Sequence, residues 1–139
     1  MLRLSKRVEY ALMALLHMDE EADQVVSVAE LADQYDIPSD MLGKVMQALA
    51  RSGLVKSIHG AHGGYQLSTS LDNLVLGDVL EAVEGPFRLV KCQETPESCD
   101  QYKVCPIREP VLAIQNQLLD YLASFELKTF RETSKSKKI

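Results

Sequence analysis

The chain has 139 residues and a mass of 15.5 kDa, with 46% apolar and 25% charged residues. These values predict one globular domain with a sizeable core, and they exclude a disordered chain, a collagen-like repeat and a disulfide-dense miniprotein. The formal net charge of −5 argues at first against a nucleic-acid partner. The charge is uneven, however, because residues 19–40 hold eight acidic side chains and no Lys or Arg, whereas the end from Lys128 carries a local charge of +4.

Helical patterns dominate the first fifty residues. A first amphipathic helix precedes an acidic stretch over 19–23 that we interpret as a solvated loop. Ser27 and Glu30 form a capping-box pattern, which predicts a short second helix to about residue 34. Pro38 breaks this helix, and a third helix begins at Ser39 and ends at a glycine at position 53.

A hairpin follows the third helix, with strands over 54–58 and 65–67 around a glycine-rich turn. The order short helix, break, second helix and hairpin is typical of a winged helix-turn-helix, in which a helix enters the major groove of DNA. The pattern alone is also compatible with a generic helical domain. The candidate DNA contacts at the start of the third helix are Ser39, Asp40, Met41, Gly43 and Lys44.

The hairpin turn is a second candidate for DNA contact. Three glycines occur within residues 60–64, and Gly60 and Gly63 would allow the backbone to approach a ligand closely. His59 and His62 could donate hydrogen bonds to phosphate or enter a narrow groove. The alternatives are a metal-binding histidine pair or a flexible hairpin tip.

The second half of the chain contains a helix that ends before Gly85 and Pro86, a polar segment with all three cysteines, and a final helix from Pro110. Apolar residues of this last helix recur at heptad spacing, which indicates packing on the protein's own core or, as we favour, a homodimer. They are Val111, Ile114, Leu118, Tyr121 and Phe125. We therefore predict a DNA-binding domain over 1–85, a cysteine loop over 86–109, a dimerisation helix over 110–127 and a basic, flexible tail over 128–139.

The cysteines follow the spacing Cys92-x6-Cys99-x5-Cys105. Thiolates are soft ligands that suit iron–sulfur clusters or zinc, but the spacing lacks the CxxC pair of zinc ribbons. Polar spacers of this length can surround a larger inorganic group, which needs a fourth ligand from His17, a turn histidine, a carboxylate or a small molecule. Ordinary or redox-active thiols remain the alternative.

Other functional classes receive little support from the sequence. The longest apolar run is too short to span a membrane, and the basic start of the chain precedes an amphipathic helix rather than a cleavable leader. We therefore expect a cytoplasmic protein. No phosphate-binding loop is present and no His lies beside a Cys in sequence, so we do not expect an enzyme.

The chain resembles the IscR/NsrR/RirA-type family of bacterial winged-helix transcription regulators over nearly its entire length. Three stretches carry the resemblance together with the cysteine triad: the opening LSKRVEYAL over 4–12, the helix-turn-helix stretch VAELADQYDI over 28–37, and GLVKSIHGAHGGY over 53–65. The resemblance implies a mainly α-helical fold with a small β-hairpin wing. It also implies a homodimer that contacts double-stranded DNA, with a palindromic operator expected, through the third helix and the wing.

The resemblance further implies an iron–sulfur cluster held by Cys92, Cys99 and Cys105, with [4Fe–4S] slightly favoured over [2Fe–2S]. IscR-like members use a His three residues after the last Cys, and this chain has Arg108 there. NsrR-like members use a carboxylate in the first helix, which nominates Glu9, from the second subunit of a dimer or from the same chain.

The net charge of −5 is nevertheless compatible with a DNA partner. Residues 38–63 carry a local charge of +2 with neutral histidines, and Lys6 stands at the start of the first helix as a further candidate contact. Residues 19–36 hold seven of the twenty acidic residues and no Lys or Arg, away from this basic stretch. We therefore expect weak non-specific binding and reliance on a dimer at a specific site.

Overall fold

The computed structural model describes residues 2–136, in which six α-helices accompany a two-stranded antiparallel hairpin. This architecture confirms the prediction of a mainly α-helical fold with a β-hairpin wing. In chain order the elements are α1 (Lys6–Glu20), α2 (Val28–Tyr35), α3 (Ser39–Arg51), β1 (Val55–Ile58), β2 (Gly64–Leu67), α4 (Leu76–Glu84), α5 (Arg108–Ser124) and α6 (Lys128–Ser136).

Local capping fixes where the first helices begin and end. The Ser5 hydroxyl accepts a hydrogen bond from the Val8 amide at 3.3 Å, and the Ser27 hydroxyl accepts one from the Glu30 amide at 3.1 Å. Helix α2 ends at Asp36, whose φ of 53° lies in the left-handed region. Helix α1 extends to Glu20, so the acidic loop predicted over 19–23 begins later than expected.

The core lies between α1, α3 and α4, which pack against one another, while α2 packs on α3. Its largest fully buried side chains come mainly from α1, α2 and α3, and others come from β1 and from connecting segments. Each buried aliphatic side chain of this kind contributes about 1.5–3 kcal/mol to folding. They include Leu15, Met18, Leu31, Leu42, Met46, Leu49, Leu71 and Leu127.

The wing, which we define as residues 55–67, is attached to the rest of the domain along β2. Its two strands pair from Val55 with Leu67 to Ile58 with Gly64. Val26, which precedes α2, exchanges two backbone hydrogen bonds of 2.8 Å with Tyr65. The wing is therefore held against the segment that joins α1 to α2.

The C-terminal part returns to the core. Helix α5 begins at Arg108, two residues before the predicted start at Pro110, and ends at Ser124. The Leu76 amide then donates to the Phe125 carbonyl at 2.9 Å, and the Leu127 amide donates to the Leu74 carbonyl at 3.0 Å.

Helix α6 differs from the flexible basic tail expected from residue 128. Phe130 packs against the core, and the Arg131 guanidinium forms ion pairs with Asp19 at 2.7 Å and Asp72 at 2.9 Å. These long-range contacts stabilise a helix that the local sequence does not predict. Lys137 and Lys138 of the predicted tail lie outside the described residues.

Within residues 2–136, no helix has the length and apolar content needed to cross a membrane.

Candidate nucleic-acid interface and cysteine cavity

Helix α3 leaves one face uncovered. Ser39, Asp40 and Lys44 are exposed near its N-terminus, and Met41 is 37% exposed. Gly43 is half-buried, and a Cβ added there would meet no atom within 4 Å. All five α3 residues predicted to contact DNA are thus accessible to a partner.

Two further residues extend the same face and were not among the predicted contacts. Gln47 and Arg51 are exposed and follow Lys44 at intervals of three and four residues. This helical spacing from Lys44 could have identified them in the sequence.

The wing tip presents His59, Gly60 and His62, all exposed. The glycines are required by the hairpin itself: Gly60 has a φ of 121°, and a Cβ on Gly63 would lie 2.6 Å from the Ile58 carbonyl oxygen. No group of three or more His, Cys, Asp or Glu side chains in residues 2–136 is arranged to hold a metal ion. The alternative of a metal site built on His59 and His62 therefore receives no support.

Lys6 stands exposed at the first residue of α1. Its ammonium group forms an ion pair with Glu9 at 3.3 Å, and both side chains are largely accessible, at 70% and 44%. An exposed pair of this kind is weak. Either side chain can therefore exchange this partner for DNA or for a second protein chain.

The three cysteines of segment 92–105, the cysteine segment, line one cavity. This cysteine cavity has a volume of about 720 Å³, and its wall includes Cys92, Cys99, Cys105, Lys91 and Arg108. All three thiols are free and half-buried. Thiol donors are of the kind that iron–sulfur clusters and zinc take. In residues 2–136 the three cysteines line the same cavity, but they are not drawn together into a group arranged to hold a metal ion.

Arg108 also lines the cavity, at the position where IscR-like proteins have a histidine ligand. Its guanidinium donates to the Tyr102 carbonyl at 2.6 Å and lies 4.5 Å from the centre of the Tyr102 ring. No simple sequence pattern predicts this contact, which depends on how the loop folds back on α5.

Of the candidate fourth ligands, a carboxylate joins the cysteines within one chain, because Asp100 lines the same cavity. Glu9 and the wing histidines do not line the cysteine cavity. The His17 ring lies 2.8 Å from the Tyr35 hydroxyl and is only 9% exposed. His17 does not line the cysteine cavity either.

The His17–Tyr35 contact joins α1 to the end of α2. The two rings meet edge to face, with centres 5.5 Å apart. Burial, with a smaller contribution from the Glu20 carboxylate, raises the pKa of the Tyr35 phenol above its usual value of 10.0. The phenol is therefore held in its protonated form and can donate to the His17 ring.

Helix α5 is poorly covered by the rest of the chain. Gln115 is its one buried residue among those described, whereas Ile114 is 51% exposed and Tyr121 59% exposed. Two of the five predicted heptad residues are thus exposed, and the other three, Val111, Leu118 and Phe125, are half-buried. Packing on the protein's own core accounts for only part of the pattern.

The α2–α3 pair, the uncovered α3 face and the wing define a winged-helix protein built to bind DNA. Residues 4–133 match the model of the Rrf2 family, described as an iron-dependent transcriptional regulator. The chain belongs to this family. The predictions of a transcription regulator and against an enzyme are confirmed by this match.

Individual relatives and a solved structure agree with this assignment. The chain is 32% identical to the protein rrf2 of Nitratidesulfovibrio vulgaris, over 77% of this chain and 72% of that one. It is 27% identical to the HTH-type transcriptional regulator NsrR of Bacillus subtilis, over 98% and 92%. The structure of CymR, the global cysteine regulator of B. subtilis, superposes with a TM-score of 0.70 at 25% identity, covering 96% of this chain and 98% of that one.

Proposed function

We propose that this regulator is a homodimer that senses redox state, nitric oxide or iron status through an iron–sulfur cluster held by Cys92, Cys99 and Cys105. The observation that carries the proposal is that the three thiols line one cavity at the N-terminal end of α5. When bound, such a cluster supplies a centre that oxidants, nitric oxide or iron shortage can alter.

The chain offers a route from the cysteine segment to the DNA-binding face. Leu89, just before the segment, donates its amide to the Gln115 side chain at 3.0 Å, which ties this part to α5. Helix α5 packs on α4, and α4 packs on both α1 and α3. Ordering of the cysteine segment by ligation can therefore shift the position of α3, provided that the two arrangements differ in DNA affinity.

A second copy of the chain would meet two requirements of the proposal. It would cover Ile114 and Tyr121, which are exposed on α5, and it would offer a place for Glu9, the proposed fourth ligand, which does not line the cysteine cavity of its own chain. In a dimer, Glu9 of one subunit would complete the ligand set of the other. Two winged helices about a two-fold axis would contact a palindromic operator.

The proposed DNA contacts are the exposed positions of α1, α3 and the wing. The polar residues near the start of α3 would meet base edges, and the wing would follow the backbone. The set comprises Lys6, Ser39, Asp40, Met41, Gly43, Lys44, His59, Gly60, His62 and Gly63.

The proposal is tested with protein purified without oxygen. We expect visible absorbance, iron and sulfide in the wild type, and their loss in Cys99→Ala. Ser98→Ala is the matched control, because Ser98 lines the same cavity without a thiol. Native mass spectrometry of the same samples distinguishes [4Fe–4S], which we favour, from [2Fe–2S]. A colourless wild-type protein without iron, with DNA affinity unaffected by the cysteine change, would contradict the proposal.

A thiol- or zinc-based regulator is the second candidate. It is supported by the partial exposure of all three thiols, which leaves them accessible to an oxidant or to zinc. Metal analysis separates the candidates: zinc without sulfide, or no metal together with DNA binding that responds to a thiol oxidant such as diamide, would support this one.

A further inference from the structure

Arg108 occupies a position that helix electrostatics disfavour. It is the first residue of α5, where the exposed amides of the helix start favour negative charge. The neighbouring Glu109 carboxylate lies 3.8 Å away and is 80% exposed, so it neutralises the guanidinium only weakly. Another contact of the Arg108 guanidinium must therefore stabilise it at this position.

That contact is with the loop between the second and third cysteines. The guanidinium donates to the Tyr102 carbonyl and lies over the Tyr102 ring. The Tyr102 amide in turn donates to the Cys99 carbonyl at 3.2 Å. The side chain of Arg108 is thus one hydrogen-bonded residue away from Cys99, and it closes a short loop that contains Cys105.

We infer that Arg108 is a positioning residue that holds Cys99 and Cys105 in the arrangement needed for a shared inorganic ligand. The identity of that ligand rests on the proposed function, whereas the contact between Arg108 and Tyr102 does not. Arg108 also lines the cysteine cavity, so a permanently charged residue stands beside the three thiols as well as against Tyr102.

Cys92 is held in a different way. The segment before it is tied to α5 by the bond between Leu89 and Gln115. Loss of Arg108 should therefore loosen the part of the cysteine segment from Cys99 onward and leave the part around Cys92 unchanged.

The first test uses metal-free, reduced, full-length protein and measures amide hydrogen exchange by mass spectrometry. In Arg108→Gln we expect exchange over residues 99–107 to become about tenfold faster, because a hydrogen bond from a charged donor is lost. Exchange in α3 and α4 should not change, which also shows that the variant folds. Tyr102→Leu, which removes the ring but keeps the carbonyl, should give a smaller increase in the same peptides.

Arg88→Gln is the matched control. Arg88 also donates to a backbone carbonyl, that of Phe87 at 2.9 Å, and the substitution changes the charge equally, but Arg88 does not line the cysteine cavity. We expect no change over residues 99–107. Unchanged exchange in Arg108→Gln, or an equal increase in Arg88→Gln, would overturn the inference.

The second test uses the protein as purified without oxygen and measures the rate at which a chelator removes iron. We expect removal to be several-fold faster in Arg108→Gln, and Arg108→Lys to recover only part of the loss, because an ammonium lacks the planar donor group. If the wild type holds no iron, the proposed function fails while the exchange experiment still decides the role of Arg108. Equal release rates in iron-loaded wild type and Arg108→Gln would contradict that role.

Discussion

A side chain added at Gly64 would collide with the backbone, whereas one added at Gly43 would meet open space. A Cβ on Gly64 would lie 2.4 Å from the Val26 carbonyl oxygen, where the wing approaches the segment before α2. Gly43 lies inside α3 with open space around it. Glycine at position 64 therefore allows two backbone segments to pack closely, whereas glycine at position 43 leaves part of the α3 surface uncovered.

We expect Gly64→Ala to lower the free energy of unfolding by about 2–3 kcal/mol, because backbone must move to relieve the overlap. Gly43→Ala should raise it by about 0.5–1 kcal/mol, because Ala is the better helix former. Urea denaturation measures both. Equal effects of the two substitutions would contradict this assignment.

Tyr35 predicts how stability depends on alkaline pH. Because its pKa is raised in the folded state, that state holds the phenol proton more tightly than the unfolded state does. The resulting stability is complete below pH 10 and is lost as the pH rises through the folded-state pKa. In Tyr35→Phe we expect the decline of the unfolding free energy between pH 10 and 12 to be less steep. A decline of the same slope in both proteins would count against a raised pKa of Tyr35 in the folded state.

At the scale of elements, local signals account for α1 to α4 and the wing. Serine caps at Ser5 and Ser27, the break at Pro38 and alternating apolar spacing are short-range features, and they predict these elements to within a few residues. Helix α6 depends instead on contacts with residues more than fifty positions away. Such contacts cannot be inferred from a single sequence, so a flexible tail was expected.

Arg131 tests whether those distant contacts hold α6 in place. Its side chain is 27% exposed and that of Asp19 13%, so water screens this pair less than a surface pair. We expect Arg131→Gln to lower the unfolding free energy by about 1–2 kcal/mol. Lys128→Gln, which breaks an exposed pair with Glu126, should cause no measurable loss. Thermal denaturation of the two variants provides the comparison.

The candidate site was only partly predictable for the same reason. Spacing and chemistry predicted that Cys92, Cys99 and Cys105 act together, and the structure places them around one cavity. The contact of Arg108 with Tyr102, and that of His17 with Tyr35, depend on packing between separate segments. The shared location of the three thiols therefore follows from the sequence pattern, whereas the contacts of Arg108 and His17 do not.

At the scale of the whole molecule, the uncovered face of α5 predicts the oligomeric state. We expect Ile114→Glu to convert a dimer to a monomer at micromolar concentration, because it places a charge on an apolar contact surface. Asn116→Glu, on the opposite flank of the exposed part of α5, should leave the dimer intact. Light scattering coupled to size exclusion measures both masses, and a wild-type monomer would contradict the prediction.

Binding of DNA by a dimer also predicts a salt dependence. If Lys44 contacts a phosphate in each half-site, Lys44→Gln should reduce the slope of log K against log salt concentration by about 2, because each phosphate contact contributes about 0.9. Lys128→Gln serves as the control away from α3. Fluorescence anisotropy on a genomic fragment selected by the wild type gives the slopes, and equal slopes for Lys44→Gln and wild type would remove Lys44 from the interface.

The burial of Leu127 has a consequence for engineering. This residue is 1% exposed and belongs to the same apolar cluster as Val8 and Leu71, although it follows the cysteines in the chain. A chimera that joins the first 85 residues to the sensor half of a different regulator would leave an unfilled space at this point. Specificity for DNA should therefore be exchanged between such regulators by grafting the surface residues of α3 and the wing, rather than by recombining halves of the gene.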